Sequence, residues 1–166
     1  MLNPIKLANK DFLSSLDTSS EELLHILEIA KNFKNKDLNI ELKNKVLGLI
    51  FDKCSTRTRV SFQVAMSRLG GSTIDLNPNT SQIGRGEPIK DTARVLSRYC
   101  DLIAIRTFNH SDLEEYATWS TKPVINALTD LEHPCQALAD FLTIKEVFND
   151  FKNVVLTFIG LSLIHI

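Results

Sequence analysis

Charge of one sign is the first thing this sequence lacks. Its 166 residues carry 19 basic and 20 acidic side chains, a formal net charge of −1. A molecule so balanced has no overall field to gather nucleic acid, so any anion must be held by a local cluster. Cysteine is scarce and unpatterned. Cys54, Cys100 and Cys135 are odd in number and show no CxxC spacing, which argues against both a disulfide framework and a zinc site and fits reduced thiols. Apolar runs are short, none approaching the ~20 residues that cross a bilayer, so no membrane role is expected. The start, Met1-Leu2-Asn3-Pro4-Ile5-Lys6, has neither the pattern of a secretion signal nor that of a transit peptide, and a cytoplasmic location is the expectation. Also absent are a GxGxxG fingerprint, a Walker A loop, a GxSxG elbow and an HExxH pair, which removes the chemistries those motifs serve.

What is present suits one globular domain. Hydrophobic residues make up 43% and charged residues 23% of the chain, and the length allows a single sizeable core. Ser19-Ser20-Glu21-Glu22 has capping-box spacing, and Leu23, Leu24, Ile26, Leu27, Ala30 and Phe33 follow at helical intervals. From Val46 onward, short apolar runs alternate with longer periodic segments. Strands are expected at Val46–Phe51, Thr73–Leu76, Leu102–Ile105, Val124–Asn126 and Val154–Ile159. Helices are expected at Thr58–Leu69, Ile89–Tyr99, Asp112–Trp119 and Pro134–Phe148. This alternation predicts an α/β fold, a doubly wound parallel sheet with helices on both faces in three layers. Asn32–Asn44 reads as a solvated helix end and loop. The longest loop expected is the polar run Asn77–Pro88, and long loops in compact domains are often functional.

In such sheets ligands bind beyond the carboxyl ends of the strands. After Phe51 comes Ser55-Thr56-Arg57-Thr58-Arg59 and then a helical pattern, which outlines an anion site. Helix-start amides and dipole favour negative charge, and hydroxyls with a guanidinium fork add charge-assisted bonds. The dipole contributes only ~0.3–1 kcal/mol and each charged hydrogen bond roughly 1.5–3, so the side chains should dominate. Taken alone, the string serves equally as a helix cap with solvated arginines. His133-Pro134-Cys135-Gln136 opens the last helix, with Pro134 suited to its first turn and His133 near the N-cap, where a ring nitrogen is available to a ligand. A lone histidine here could simply be a cap. Arg106 lies at a third strand end, and a convergent set of Arg57, Arg106 and His133 at one sheet edge is what a phosphate-bearing substrate needs. The carboxylate pairs Glu21-Glu22 and Glu114-Glu115 fall on solvated helix faces, and Cys54 and Cys135, lacking a neighbouring base, read as packing residues rather than nucleophiles.

The segment from Phe51 to Phe62 resembles the carbamoyl-phosphate signature of the aspartate and ornithine carbamoyltransferases. His133 to Asp140 resembles their second signature in its ornithine form. Ser81 to Tyr99 and Ile105 to Phe108 match the ornithine branch better than the aspartate branch, and the likeness runs from about Phe12 to Gly160. The resemblance implies a transferase that moves the carbamoyl group of carbamoyl phosphate to the amine of L-ornithine, giving L-citrulline and phosphate in arginine metabolism. It implies no metal and no organic cofactor. Ser55, Thr56, Arg57 and Thr58 would hold the phosphate, Arg106 both phosphate and carbonyl oxygen, and His133 the carbonyl oxygen. Gln136 and the neighbouring backbone of Pro134 and Cys135 would fix the carbamoyl amide. Gln82 would enter the site from a neighbouring subunit of a homotrimer. Donors to the developing oxyanion raise the rate, whereas contacts made equally in ground and transition states lower KM. Arg106, His133 and Thr58 are therefore the catalytic candidates, with affinity assigned to Ser55 and Arg57.

The sequence departs from the family at Cys54, where proline is common, and at Gln63, where glutamate is. After Gly160 the family continues G-D-G-N-N, whereas this chain reads Leu161-Ser162-Leu163-Ile164-His165-Ile166. The expectation is a truncated or chimeric reading frame. Residues 1–150 would form the carbamoyl-phosphate domain and 151–166 the first strand of the ornithine-binding domain with an atypical tail, the fragment itself being inactive. Two other readings stay open: a transcarbamylase with putrescine, aspartate or an acylated ornithine as acceptor, and a non-catalytic carbamoyl-phosphate-binding or interaction module.

Overall fold

A computed structural model of the chain describes residues 10–35, 40–78 and 81–157. Helix α1 (Ser20–Lys34) begins at the expected capping box. Ser19 Oγ accepts the Glu22 N–H, and the Glu22 carboxylate accepts the Ser19 N–H at 2.8 Å. This reciprocal pairing satisfies two of the donors that every helix start leaves over. Four strands follow, β1 (Val46–Phe51), β2 (Ser72–Leu76), β3 (Leu102–Arg106) and β4 (Val124–Leu128). Between and after them lie α2 (Arg57–Arg68), α3 (Ile89–Tyr99), α4 (His110–Trp119) and α5 (Pro134–Phe148). The expected bounds of β1, α3 and α5 match the structure, α2 shifts by one residue at each end, and β2, β3, β4 and α4 shift by one or two residues at one end.

All strand pairs are parallel, in the order β2-β1-β3-β4. Apolar residues alternate between the two faces. Ile50, Ile103, Ile105 and Val124 point to one side, where Ala93 and Leu96 of α3 and Leu113 and Tyr116 of α4 cover them. Leu47, Leu49, Phe51, Ala104 and Ala127 point to the other, against Phe62 and Met66 of α2. Helix α5 packs on β4, and α1 packs on α5. Each face must bury its own apolar row, and the result is the expected three-layer arrangement. The backbone of Phe12 extends the sheet beside β4, its N–H donating to Val124 O at 2.8 Å and its carbonyl accepting from Asn126 at 2.9 Å. Gly48 has a packing role within β1: a Cβ there would stand 3.0 Å from Cys100 Sγ.

Two expectations change. Strand β4 runs two residues past Asn126, because the ladder slips there: Ile105 pairs with Asn126 but Arg106 pairs with Leu128. Such a bulge re-aims the side chains at a sheet end. Of the expected strand Val154–Ile159, the described part, residues 154–157, has no strand structure, and Val155 is 90% exposed. A strand is defined by its ladder partner, and no described neighbour offers one. Within the described part of the loop Asn77–Pro88 lies a 3₁₀ turn at Ile83–Arg85. Residues 79–80 of that loop and 36–39 of the Asn32–Asn44 stretch lie outside the described residues.

Candidate anion and carbonyl site

The winding of the sheet creates the site. From β1 the chain steps outward to β2, then returns past β1 to place β3 on its other side. The carboxyl ends of β1 and β3 therefore diverge into a crevice, the place where open parallel sheets bind ligands. Phe51 and Arg106 are opposite each other at this end, and Asp52 N–H donates to Arg106 O at 2.9 Å. That bond holds the two strand ends together just before both connections turn away.

Around the crevice lie two adjoining cavities. The smaller, about 280 Å³, is lined by Cys54, Ser55, Thr56, Arg57, Thr58 and Arg106. The larger, about 600 Å³, shares Cys54, Arg57, Thr58 and Arg106 and adds Asp52, Lys53, Phe108, Leu128, His133 and Gln136. The convergence of Arg57, Arg106 and His133 expected from strand ends is thus met in one cavity. Helix α2 points its start into the smaller cavity, and its N-cap Thr56 makes no side-chain capping bond, so the hydroxyl does not compete with a ligand for the helix-start donors. The two arginines of this segment separate. Arg57 lines both cavities, whereas Arg59 lies over the Phe51 ring with its guanidinium carbon 5.1 Å from the centroid and reaches Asp75 at 3.5 Å.

Arg106 has a buried Nε with no hydrogen-bond partner. Burial pulls its pKa down from the usual arginine value, yet a guanidinium stays cationic in any protein setting. A desolvated cation with an unspent donor binds an oxyanion strongly, since little water must be displaced.

His133 is the N-cap of α5, and its Nδ1 accepts the Gln136 N–H at 3.3 Å. Accepting at Nδ1 assigns the neutral ring's proton to Nε2, which makes Nε2 a donor. Burial is the main cause that lowers the His133 pKa, and the Arg106 charge adds to it against an opposing pull from Asp140. The ring is therefore held neutral at neutral pH. Gln136 donates from Nε2 to Asp140 Oδ1 at 2.9 Å, which orients its carboxamide at the cavity edge.

The other expected residues fall outside the cavity lining. Pro134 is fully buried, and Cys135 is half-buried with Sγ 3.5 Å from Asn126 O. Burial pushes the Cys135 thiol up to about 11, a packing thiol rather than a nucleophile. Gln82 is exposed at the start of the Ile83–Arg85 turn and lines neither cavity. Asp52, Lys53, Phe108 and Leu128 were assigned no role by sequence, though each stands at or within two residues of a strand end. Lys53 Nζ lies 4.5 Å above the Phe108 ring, and burial raises the Asp52 carboxyl above its ordinary range while a Thr107 hydrogen bond opposes this. Among the described residues no cluster of three or more His, Cys, Asp or Glu suits a metal ion, and no helix is long and apolar enough to cross a membrane.

Residues 10–146 match the family model described as aspartate/ornithine carbamoyltransferase, carbamoyl-P binding domain. An ornithine carbamoyltransferase of Prochlorococcus marinus subsp. pastoris is 82% identical over 160 residues, covering 96% of this chain and 52% of that protein. A second, from Prochlorococcus marinus strain MIT 9312, is 81% identical with the same coverage. The structure of ornithine carbamoyltransferase from Pyrococcus furiosus superposes with a TM-score of 0.85 at 50% identity, over 91% of this chain and 50% of that one. The chain spans about half the length of the curated relatives it matches. It belongs to the aspartate/ornithine carbamoyltransferase family, over the span of that family's carbamoyl-P binding domain.

Proposed function

We propose that this chain supplies the carbamoyl-phosphate site of an ornithine carbamoyltransferase, transferring the carbamoyl group to the side-chain amine of L-ornithine to form L-citrulline and phosphate. One observation carries the reading: Arg57, Thr58, Arg106, His133 and Gln136 line a single cavity at the β1/β3 crevice. The ornithine carbamoyltransferase names of relatives 82% and 81% identical support ornithine as the acceptor.

In this reading Ser55, Thr56, Arg57 and Thr58 bind the phosphate with the start of α2, and Arg106 bridges phosphate and carbonyl oxygen. His133 Nε2–H donates to that same oxygen, while Gln136 and the Pro134–Cys135 backbone hold the carbamoyl amide. The neutral amine nitrogen bonds to the carbamoyl carbon, charge gathers on the carbonyl oxygen, and the carbon–oxygen bond to phosphate breaks as the amine proton is released. Arg106 and His133 are neutral-pH donors aimed at that developing charge, a role worth roughly 3–4 kcal/mol per donor. The chemistry calls for no metal or organic cofactor.

Gln82, exposed on its own chain, serves the site of a neighbouring copy in a homotrimer. Residues 1–150 form the carbamoyl-phosphate unit and 151–166 lead into the acceptor half. Arginine metabolism in the cytoplasm is the setting that fits this reaction. Calorimetric titration of the chain with carbamoyl phosphate tests the donor site, and the absence of binding would refute it. Citrulline formation by a chain extended to the length of its relatives, assayed beside aspartate and putrescine as acceptors, tests the choice of ornithine.

A further inference from the structure

The catalytic candidates Arg106 and His133 stand on separate elements, the end of β3 and the cap of α5, and the segment from Asn126 to Glu132 runs from the partner strand of Arg106 to the residue before His133. Asn126 is fully buried in β4, where a carboxamide costs several kcal/mol unless its groups are paired. Its groups are paired in a specific way. Oδ1 accepts the Leu128 N–H at 2.9 Å, the amide displaced where the ladder slips between Ile105 and Arg106. Nδ2 donates to Leu13 O at 2.8 Å and to Glu132 O at 3.3 Å. One side chain thus grips the strand end, the N-terminal segment and the residue immediately before His133.

The backbone it holds is strained. Leu128 has φ 153°, a region that non-glycine residues rarely occupy and that persists only where surrounding bonds enforce it. Leu128 is also the ladder partner of Arg106 and lines the larger cavity, and its carbonyl accepts the Thr107 N–H at 3.1 Å. From there the chain closes a tight turn, with Thr129 N–H donating to Glu132 O at 3.1 Å. The Glu132 carboxylate is clasped from outside by Ser14 Oγ at 2.7 Å and the Ser15 N–H at 3.1 Å.

We infer that Asn126 is a positioning residue: its carboxamide fixes the strained Leu128 and the turn to Glu132, and so sets where His133 stands relative to Arg106. The consequence for catalysis rests on the proposed function, whereas the consequence for His133 does not. Strain at cavity-lining positions is commonly retained to pre-organise a site. Asn126→Asp is the sharp probe, because it keeps the shape but turns the donor toward Leu13 O and Glu132 O into an acceptor.

The test uses the whole chain, with nitrogen-15 NMR of His133 in the absence of ligand and calorimetry with carbamoyl phosphate and with inorganic phosphate. In the parent chain His133 Nδ1 is expected to resonate as an acceptor nitrogen and Nε2 as a protonated one. Asn126→Asp should abolish that fixed pattern. It should weaken carbamoyl phosphate about 2- to 12-fold, the loss of one ordinary ground-state hydrogen bond, and weaken inorganic phosphate far less, because Ser55–Thr58 are untouched. A variant with the parent His133 pattern, or with both ligands weakened equally, overturns the inference. If the parent binds no carbamoyl phosphate, the proposed function fails, and the His133 spectrum alone decides the positioning role. Should Asn126→Asp not fold, hydrogen exchange on the parent chain decides. The Asn126 carboxamide protons should be as protected as the β4 amides, and exchange at the rate of an exposed side chain overturns the assignment.

Discussion

Nδ1 of His133 accepts the backbone N–H of Gln136 at 3.3 Å, so the bond that caps α5 also assigns the imidazole proton to the nitrogen left for the substrate. The same cap is lost on protonation, when both ring nitrogens become donors. His133 should therefore titrate below the ordinary histidine value. Burial is the first cause, with Arg106 next. Proton NMR should place its midpoint under 6.5, raised by Arg106→Gln and lowered further by Asp140→Asn. A midpoint above the ordinary histidine value would contradict the neutral-donor role.

Arg57 should contribute affinity. One lost charge-assisted bond is worth about 1.5–3 kcal/mol, which is roughly 10- to 150-fold in dissociation constant. Calorimetry on Arg57→Ala should show carbamoyl phosphate and inorganic phosphate weakened together. Arg59→Ala, whose side chain turns to Phe51 and Asp75, should leave binding close to the parent value while lowering thermal stability modestly.

Arg106 and His133 should act on rate. In a chain extended to the length of its relatives, Arg106→Lys and His133→Ala should each lower kcat about 10²- to 10³-fold, the cost of one oxyanion donor. Lysine retains the charge but not the planar fork. Full turnover in either variant would remove that residue from the reaction centre.

Gly48 and Cys100 form a packing pair that a double-mutant cycle can test. Gly48→Ala places a methyl carbon 3.0 Å from Cys100 Sγ and should destabilise the domain by about 1–3 kcal/mol, the usual range for overpacking. Cys100→Ala should destabilise it too, by vacating space. The double variant should lose less than the two single losses added, as measured by urea denaturation, because the methyl fills what the sulfur leaves.

Acid should loosen the start of α1. Bonds from Lys10 first and then Ser19 hold the Glu22 carboxyl at about 2, against an ordinary 4.5. A folded pKa below the unfolded one means the contribution is complete above 4.5 and is lost as pH falls through about 2. Glu22→Gln should lower stability near neutral pH and flatten its dependence across that window, with little difference from the parent at the acid end. The exposed setting keeps the effect small.

The helix-start anion site was legible because its parts are local. Ser55 to Arg59 directly follow a buried strand, and the capping box of α1 and the proline opening α5 are contained within four residues each. Convergence of Arg57, Arg106 and His133 was legible one step further, since a parallel sheet carries all strand ends to one edge. Asn126 was the clearest miss. It read as the polar end of a strand, and its partners Leu13, Leu128 and Glu132 are joined only by the fold. The separation of Arg57 from Arg59 was equally hidden, because it depends on Asp75 of a neighbouring strand.

By itself, then, the sequence determined the elements, the layer architecture and the chemistry available at each strand end, all of which follow from hydrophobic period and short-range hydrogen bonding. Tertiary structure decided the strand order that opens the crevice between β1 and β3, the slip that pairs Arg106 with Leu128, and the desolvation that leaves the Arg106 Nε buried and His133 neutral. Those depend on which distant groups share a low-dielectric space, and no local pattern encodes that.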